Sequence, residues 1–548
     1  MTRRTRELSL FSLLGVAVVG STLAIVQSQS DYAFFDPMID VKAMIDRLYV
    51  HDVDSDALQT AAIQGLIDAL DDPHTIYIPP ADASEFNKSL SGEYVGIGSE
   101  VSLRDGWLTI MNPMDDSPSL AAGLRPDDQV RAIDGQSTQG LSVENCIALL
   151  QGKPNTPVVL TIQRAGETLD VTVIRDHIKT RDVQGFARNL AGDGRWRFLI
   201  DPQHAIAYVR IARFTDRITD EVKAALDEAK IEANRDLAGV ILDMRDDPGG
   251  RLDEAIRLAD LFLESGIIVS TRGRQQPEAV AHATPGDSYE RVPLAVLINA
   301  RSASASEIVA GALADNDRAI IVGTRSFGKG SVQSVRPIPT KPGAFLKITE
   351  QLYYLPSGRC LDRTPDATVW GVDPTPGYFV PIDDAQDFER RIVRRQREII
   401  RLGTNADTVT DDWASPQWIA EAIKDPQLSM AMQATQSHAA TGSWPEVDAS
   451  RVAPDAIQAD EIARLMLRRD RIERELDRVL RQLSALDAGI NHSTAPRDLW
   501  DDELSVAGGT LIVKDARGEP VATLRINNPN LELWLLEAGV EPITDGDS

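Results

Sequence analysis

Cysteine is nearly absent from this chain, with only Cys146 and Cys360 among 548 residues. Neither belongs to a CxxC pair or a Cys/His cluster, so no structural zinc site is expected. Cys146 sits in an apolar helical pattern and reads as a buried free thiol. Histidine is scarce too, with seven residues, and neither an HExxH pair nor a GxSxG elbow occurs. Zinc-peptidase and α/β-hydrolase designs therefore find no support, although a distant histidine could still fold into a site. Positive charge is in deficit: 57 Lys and Arg face 83 Asp and Glu, a net charge of −26. No nucleic-acid partner is expected, because the basic face such a binder needs is missing. No low-complexity tract dominates, and a chain of this length divides into three or four units.

The one long apolar run is at the start. Arg3, Arg4 and Arg6 precede a charge-free stretch from Leu8 to Val26. This pattern reads as a signal sequence, with cleavage conceivable after Ser30, or as an uncleaved membrane anchor. Basic residues ahead of the run predict an exported chain, periplasmic or anchored to the outer side of the cytoplasmic membrane.

Four patterns follow along the chain. Residues 38–72 have helical periodicity and end at Pro73. From Gly92 to His177 short strands and turns alternate around one amphipathic helix carrying Val143, Cys146, Ile147 and Leu150. Residues 203–365 alternate strand and helix, which implies βαβ units around a largely parallel sheet. The fold class is thus α/β multidomain. Beyond Tyr378, Arg390, Arg391, Arg394, Arg395, Arg397 and Arg401 make a basic helical face, read as solvated or as meeting an acidic partner or lipid. Residues 406–457 read as linker or loosely ordered. Leu465, Ile472, Val479 and Leu486 then recur every seven residues, with Ile462, Leu476 and Leu483 in a second seam interrupted by Arg469. That heptad fits a helical hairpin or a homo-oligomer contact. A β segment is expected over 510–536.

Chemistry concentrates in three segments of the α/β region. The strand ending at Asp243 runs into Asp246-Asp247-Pro248-Gly249-Gly250, where two glycines free backbone N–H groups to approach a ligand, or simply turn the chain. Ser302-Ala303-Ser304-Ala305-Ser306-Glu307 lies between a strand and a helix. Its serines could cap the helix, or place a hydroxyl at the positive end of the helix dipole. Gly323 to Ser331 nearly matches a P-loop, but Gly330 stands where a magnesium-binding hydroxyl belongs and a strand replaces the helix. No nucleotide cofactor is expected.

In this order the segments resemble the carboxyl-terminal processing peptidases, also called tail-specific proteases. The likeness covers about residues 38–378 and includes Tyr353-Tyr354-Leu355-Pro356-Ser357-Gly358-Arg359. It implies a serine endopeptidase cleaving proteins near their C-termini, with Ser304 as nucleophile, Lys329 as general base and Gln333 orienting the lysine. It also implies an oxyanion hole from the Gly250 and Ala305 N–H groups, with no metal or other cofactor. A lysine must be neutral to accept the serine proton, and burial beside Phe327, Gly328 and Val332 would favour that. Asp246 and Asp247 stand where the family often has Asn, a departure at the glycine turn. Tyr94-Val95-Gly96-Ile97-Gly98 resembles the carboxylate-binding loop of PDZ domains, which captures a peptide's free C-terminal tail. A PDZ that serves as a lid and binds nothing is the other reading, and an inactive peptide-binding scaffold is the alternative for the whole chain. The expected division is 1–30 signal or anchor, 31–91 helical segment, 92–178 PDZ, 179–380 protease core and 381–548 extension.

Overall fold

The computed structural model describes residues 33–83, 86, 93–179, 181–189, 194–286, 289–364, 367–400, 412–445, 454–487, 510–514 and 520–525. The apolar N-terminal run lies outside these residues. Among those described, no helix is long and apolar enough to cross a membrane. Two units divide the chain.

One unit combines residues 33–80 with 335–348. Helices Asp36–Leu48 and Ser55–Asp68 realise the expected helical pattern. The second is capped by Asp54, whose carboxylate accepts the Asp56 N–H at 2.8 Å. Strand Ile76–Ile78 pairs antiparallel with residues 345–347, over a small core of Ile67, Tyr77 and Ala344.

The other unit opens with a β-rich domain. Strands Ser99–Arg104, Trp107–Pro113, Gln129–Ile133, Pro157–Arg164 and Glu167–Ile174 are neighbours in that order, all antiparallel. Alternate residues Val158, Leu160 and Ile162 are fully buried, as a sheet with one dry face requires. Helix Val143–Leu150 closes the core, and Cys146 is a buried free thiol within it.

The α/β core is a six-stranded, largely parallel sheet. Strands β1 (Ile206–Ile211), β2 (Gly239–Asp243), β3 (Leu294–Ile298) and β4 (Ala319–Gly323) are parallel and adjacent in chain order. Two short strands, Val183–Gln184 and Leu199–Asp201, pair antiparallel with β1. Every residue of β2 and β3 is buried, the mark of strands covered on both faces. Helices α1 (Ile218–Ala233), α2 (Leu252–Asp260) and α3 (Ala305–Asp315) cover one face through Val222, Leu258 and Ile308. The other face is covered by the C-terminal extension. There α4 (Asp384–Glu398) is followed by α5 (Pro416–Ala422) and α6 (Pro426–Thr441), with Trp413, Ile419, Leu428 and Met432 packed on Tyr208, Ile241 and Leu297. Residues 412–445 are therefore an ordered layer of the core, not linker. Buried Asp425, Gln427 and Thr435 interrupt the apolar positions, which hides this layer from composition.

The basic face of α4 is only partly solvated: Arg391 and Arg395 are exposed, Arg390 and Arg394 are not, and Arg401 lies outside the described residues. Arg390 is 1% exposed and pairs with Asp387 and Asp246, while Arg394 pairs with Asp243 and Glu398. At its C-terminal end the helix meets the β-rich domain. Arg395 pairs with Glu100, the Ile400 N–H donates to Asn112, and Arg188 bridges the Glu398 carbonyl and Asp115. A 34-residue helix, α7 (Pro454–Asp487), carries the heptad seam, with Ile462, Leu465, Ile472, Leu476 and Val479 exposed. Strands Thr510–Lys514 and Pro520–Arg525 form a hairpin within the expected C-terminal β segment.

Candidate active site

Because β1 to β4 are parallel, the loops at their C-terminal ends gather on one edge of the sheet, where α/β folds build sites. The loop after β2 holds Asp246 to Gly250. The loop after β3 holds Ser304, and the loop after β4 holds Lys329. All three chemical segments therefore meet at one edge.

Ser304 sits at the N-cap of α3 with φ 57° and ψ −112°, a strained conformation for a residue with a Cβ. It is 7% exposed. The strain is held by Glu307 one turn on, whose carboxylate accepts the Ser304 N–H at 2.8 Å. The same carboxylate accepts the Lys329 N–H at 2.8 Å, the Gly328 N–H at 2.6 Å and the Ser326 hydroxyl at 2.6 Å. A capping side chain is thus shared between the serine turn and the lysine loop. Burial pushes the Glu307 carboxyl above its usual range, against the pull of its four donors. A further bond from the Phe327 N–H to the Ser302 carbonyl, 3.0 Å, joins the same two loops.

On the other side of Ser304 lies the glycine turn. Gly249 has φ 90°, and a Cβ there would stand 2.5 Å from the Ala303 carbonyl oxygen and 2.9 Å from the Ser304 Cβ. Only glycine fits. Gly250 is pinned between Phe214 and the turn by bonds from the Phe214 N–H to the Gly249 carbonyl and from the Arg251 N–H to the Phe214 carbonyl. The Gly249 N–H is taken by Asp247 Oδ1 at 2.8 Å. The N–H groups of Gly250 and Ala305 donate to no described partner. Gln333, on strand Ser331–Pro337, donates from Nε2 to Ser331 and Thr349. Lys329 is half-buried, whereas Phe327, expected among the groups burying it, is 49% exposed.

Of the described histidines, His204 is held by Asp201 at 2.6 Å. It precedes β1 and so lies at the opposite edge of the sheet from Ser304. In the β-rich domain, strand Glu93–Gly96 brings Tyr94, Val95 and Gly96 to the first turn, with Ile97 and Gly98 following. The Ile97 and Gly98 carbonyls are fixed by the Ser119 and Met114 N–H groups, both at 2.9 Å.

Residues 205–375 match peptidase family S41, residues 109–164 match a PDZ domain and residues 26–81 match the N-terminal domain of activating protease CtpB. A carboxy-terminal-processing protease of Bartonella bacilliformis is 36% identical over 394 residues, covering 69% of this chain and 86% of the relative. The chain belongs to peptidase family S41. A probable CtpA-like serine protease of Staphylococcus aureus is 32% identical, over 62% of this chain and 66% of the relative. Among solved structures, a photosystem II D1 C-terminal processing protease is similar at 26% identity and a TM-score of 0.37, covering 62% of this chain and 86% of that one.

In this S41 peptidase the two aspartates of the glycine turn have opposite surroundings. Asp246 would be raised by burial, but Arg390, Asn299 and Arg301 hold it well below the usual carboxylate range. Asp247 is fully buried, Oδ2 has no described partner, and burial drives its carboxyl well above that range, with Asp182 adding to the effect. A neutral Asp247 is isosteric with the asparagine expected there. The folded state then holds a proton that the unfolded chain releases near pH 4. This contribution is complete below that pH and is lost as pH rises through the folded pKa. Asp247→Asn is expected to flatten that decline, by up to about 1.4 kcal/mol per pH unit within the window. Urea melts of both proteins between pH 4 and 9 check this, and parallel pH profiles would refute it.

Proposed function

We propose that this S41 peptidase is a serine endopeptidase acting near the C-termini of protein substrates through a Ser–Lys dyad, with the PDZ domain as receptor for the substrate tail. Ser304 Oγ attacks the scissile carbonyl as its proton passes to a neutral Lys329 amine. That proton then goes to the leaving amine, and water, deprotonated by the lysine, resolves the ester to the acid. The Gly250 and Ala305 N–H groups receive the oxyanion. Gln333 orients the lysine through Oε1, its Nε2 being engaged elsewhere.

The observation that carries this reading is the Glu307 carboxylate, which fixes the backbone of the nucleophile and of the base on a single oxygen, Oε2. Tail capture is supported by strand Ser99–Arg104, which among the described residues is paired on one side only and has helix Val143–Leu150 beside it. A peptide can add there as a strand, with its carboxylate at the Ile97 and Gly98 N–H groups, which no described bond uses.

The test is an unstructured peptide with an apolar C-terminus, offered as free acid and as amide to the parent and to Ser304→Ala. Cleavage by the parent, none by the variant and about tenfold slower turnover of the amide at low concentration are expected. Cleavage that survives Ser304→Ala would refute the nucleophile. Equal rates for acid and amide would refute tail capture.

A further inference from the structure

The glycine turn is anchored from outside the region that matches the S41 family. Asp246, four residues before Gly250, adopts φ 65°. Its N–H donates to Asn299 Oδ1 at 3.1 Å, and Oδ1 accepts from Asn299 Nδ2 at 2.9 Å and Arg301 Nε at 2.7 Å. Asn299 and Arg301 belong to the loop that leads into Ser304. The other oxygen, Oδ2, accepts from Arg390 of α4 at 3.0 Å. Arg390 is held in turn by Asp387, which also pairs with Arg301 and Arg391. One carboxylate therefore joins the oxyanion turn, the nucleophile loop and a helix beginning nine residues past the family match.

We propose that Arg390 is a positioning residue of the peptidase: by pinning Asp246 it fixes the Asp246–Gly250 turn against the serine loop, so that the Gly250 N–H stands where the oxyanion forms. The guanidinium touches no reacting atom and acts through Asp246. With Arg390 removed, Asp246 keeps only the half-exposed Arg301 and Asn299, and an under-compensated carboxylate beside the turn draws toward water. Removing the charge as well relieves that pull. Arginine and aspartate at these positions therefore behave as a coupled pair.

This inference rests on the oxyanion role given above to Gly250, so its test includes a readout independent of cleavage. Arg390→Met, Asp246→Asn and the double variant are compared with the parent for kcat, KM and hydrogen exchange over residues 244–251. Arg390→Met is expected to lower kcat on the order of 10- to 100-fold, part of the worth of an oxyanion donor, with KM unchanged. Exchange in the turn rises. The double variant recovers kcat to within about threefold of the parent and restores slow exchange. Unchanged kcat and exchange in Arg390→Met, or a double variant no better than the single, would overturn the proposal. Slow exchange lost in Arg390→Met and restored in the double variant supports the positioning even if Ser304→Ala shows that cleavage uses another nucleophile.

Discussion

Glu307→Ala is expected to abolish cleavage and to cost at least about 4 kcal/mol of stability, since it strands four buried donors worth roughly 1–3 kcal/mol each. The donors are the N–H groups of Ser304, Gly328 and Lys329 and the hydroxyl of Ser326. No water can replace the carboxylate without entering a site that is fully buried. Without it the strained Ser304 backbone loses its tie, and the lysine loop loses its register against the serine. Glu307→Gln retains one acceptor oxygen but turns an NH₂ group toward donors, so it should fall between the parent and Ala. Denaturant melts and peptide turnover measured together check this, and a Glu307→Ala protein that melts with the parent would contradict it.

Lys329→Met is expected to lower kcat by about 10³-fold, in the middle of the range for losing a general base. The methionine preserves length and apolar stem, and the backbone N–H bonded to Glu307 is unaffected by the change of side chain. Stability should therefore be close to the parent's, separating this effect from that of Glu307. Lys329→Arg should not rescue turnover, because a guanidinium stays protonated at any pH the enzyme tolerates. Stopped assays under saturating peptide measure it, and an Arg variant as fast as the parent would remove the lysine from proton transfer.

The parallel sheet was legible because β3 is wholly apolar and β2 is apolar up to its terminal Asp243. Both are short and bounded by turn residues, and their pattern needs no distant information. Ser304, Lys329 and the glycine pair stood out for the same reason: each follows a strand. Glu307 carried a signal that went unused. Ser304 and Glu307 have the spacing of a capping box, and that spacing marks a carboxylate folded back on its own helix start. The second bonding of that carboxylate, to a loop 21 and 22 residues away, is not a local pattern. The arginines of α4 misled because a run of cations on a helix ordinarily faces water. Their carboxylates lie 144 and 151 residues earlier, and nothing in the helix itself announces them. Residues 416–441 were missed similarly: their amphipathicity is weak, and Trp413 and Trp418 become core only against the sheet that precedes them.

The clamp at the glycine turn also sets an order of events in synthesis. Chains fold from the N-terminus as they leave the ribosome, at about 5–20 residues per second. Asp246 emerges 144 residues ahead of Arg390, and Arg245 emerges 180 ahead of Asp425, its second buried carboxylate. Lys329 itself precedes Arg390 by 61 residues, so for several seconds, about 3–12 at that rate, the proposed serine and lysine lack the charge that completes the turn beside them. If Arg390 positions the turn as proposed, competence for cleavage arrives only once α4 is made, well after the serine and lysine loops.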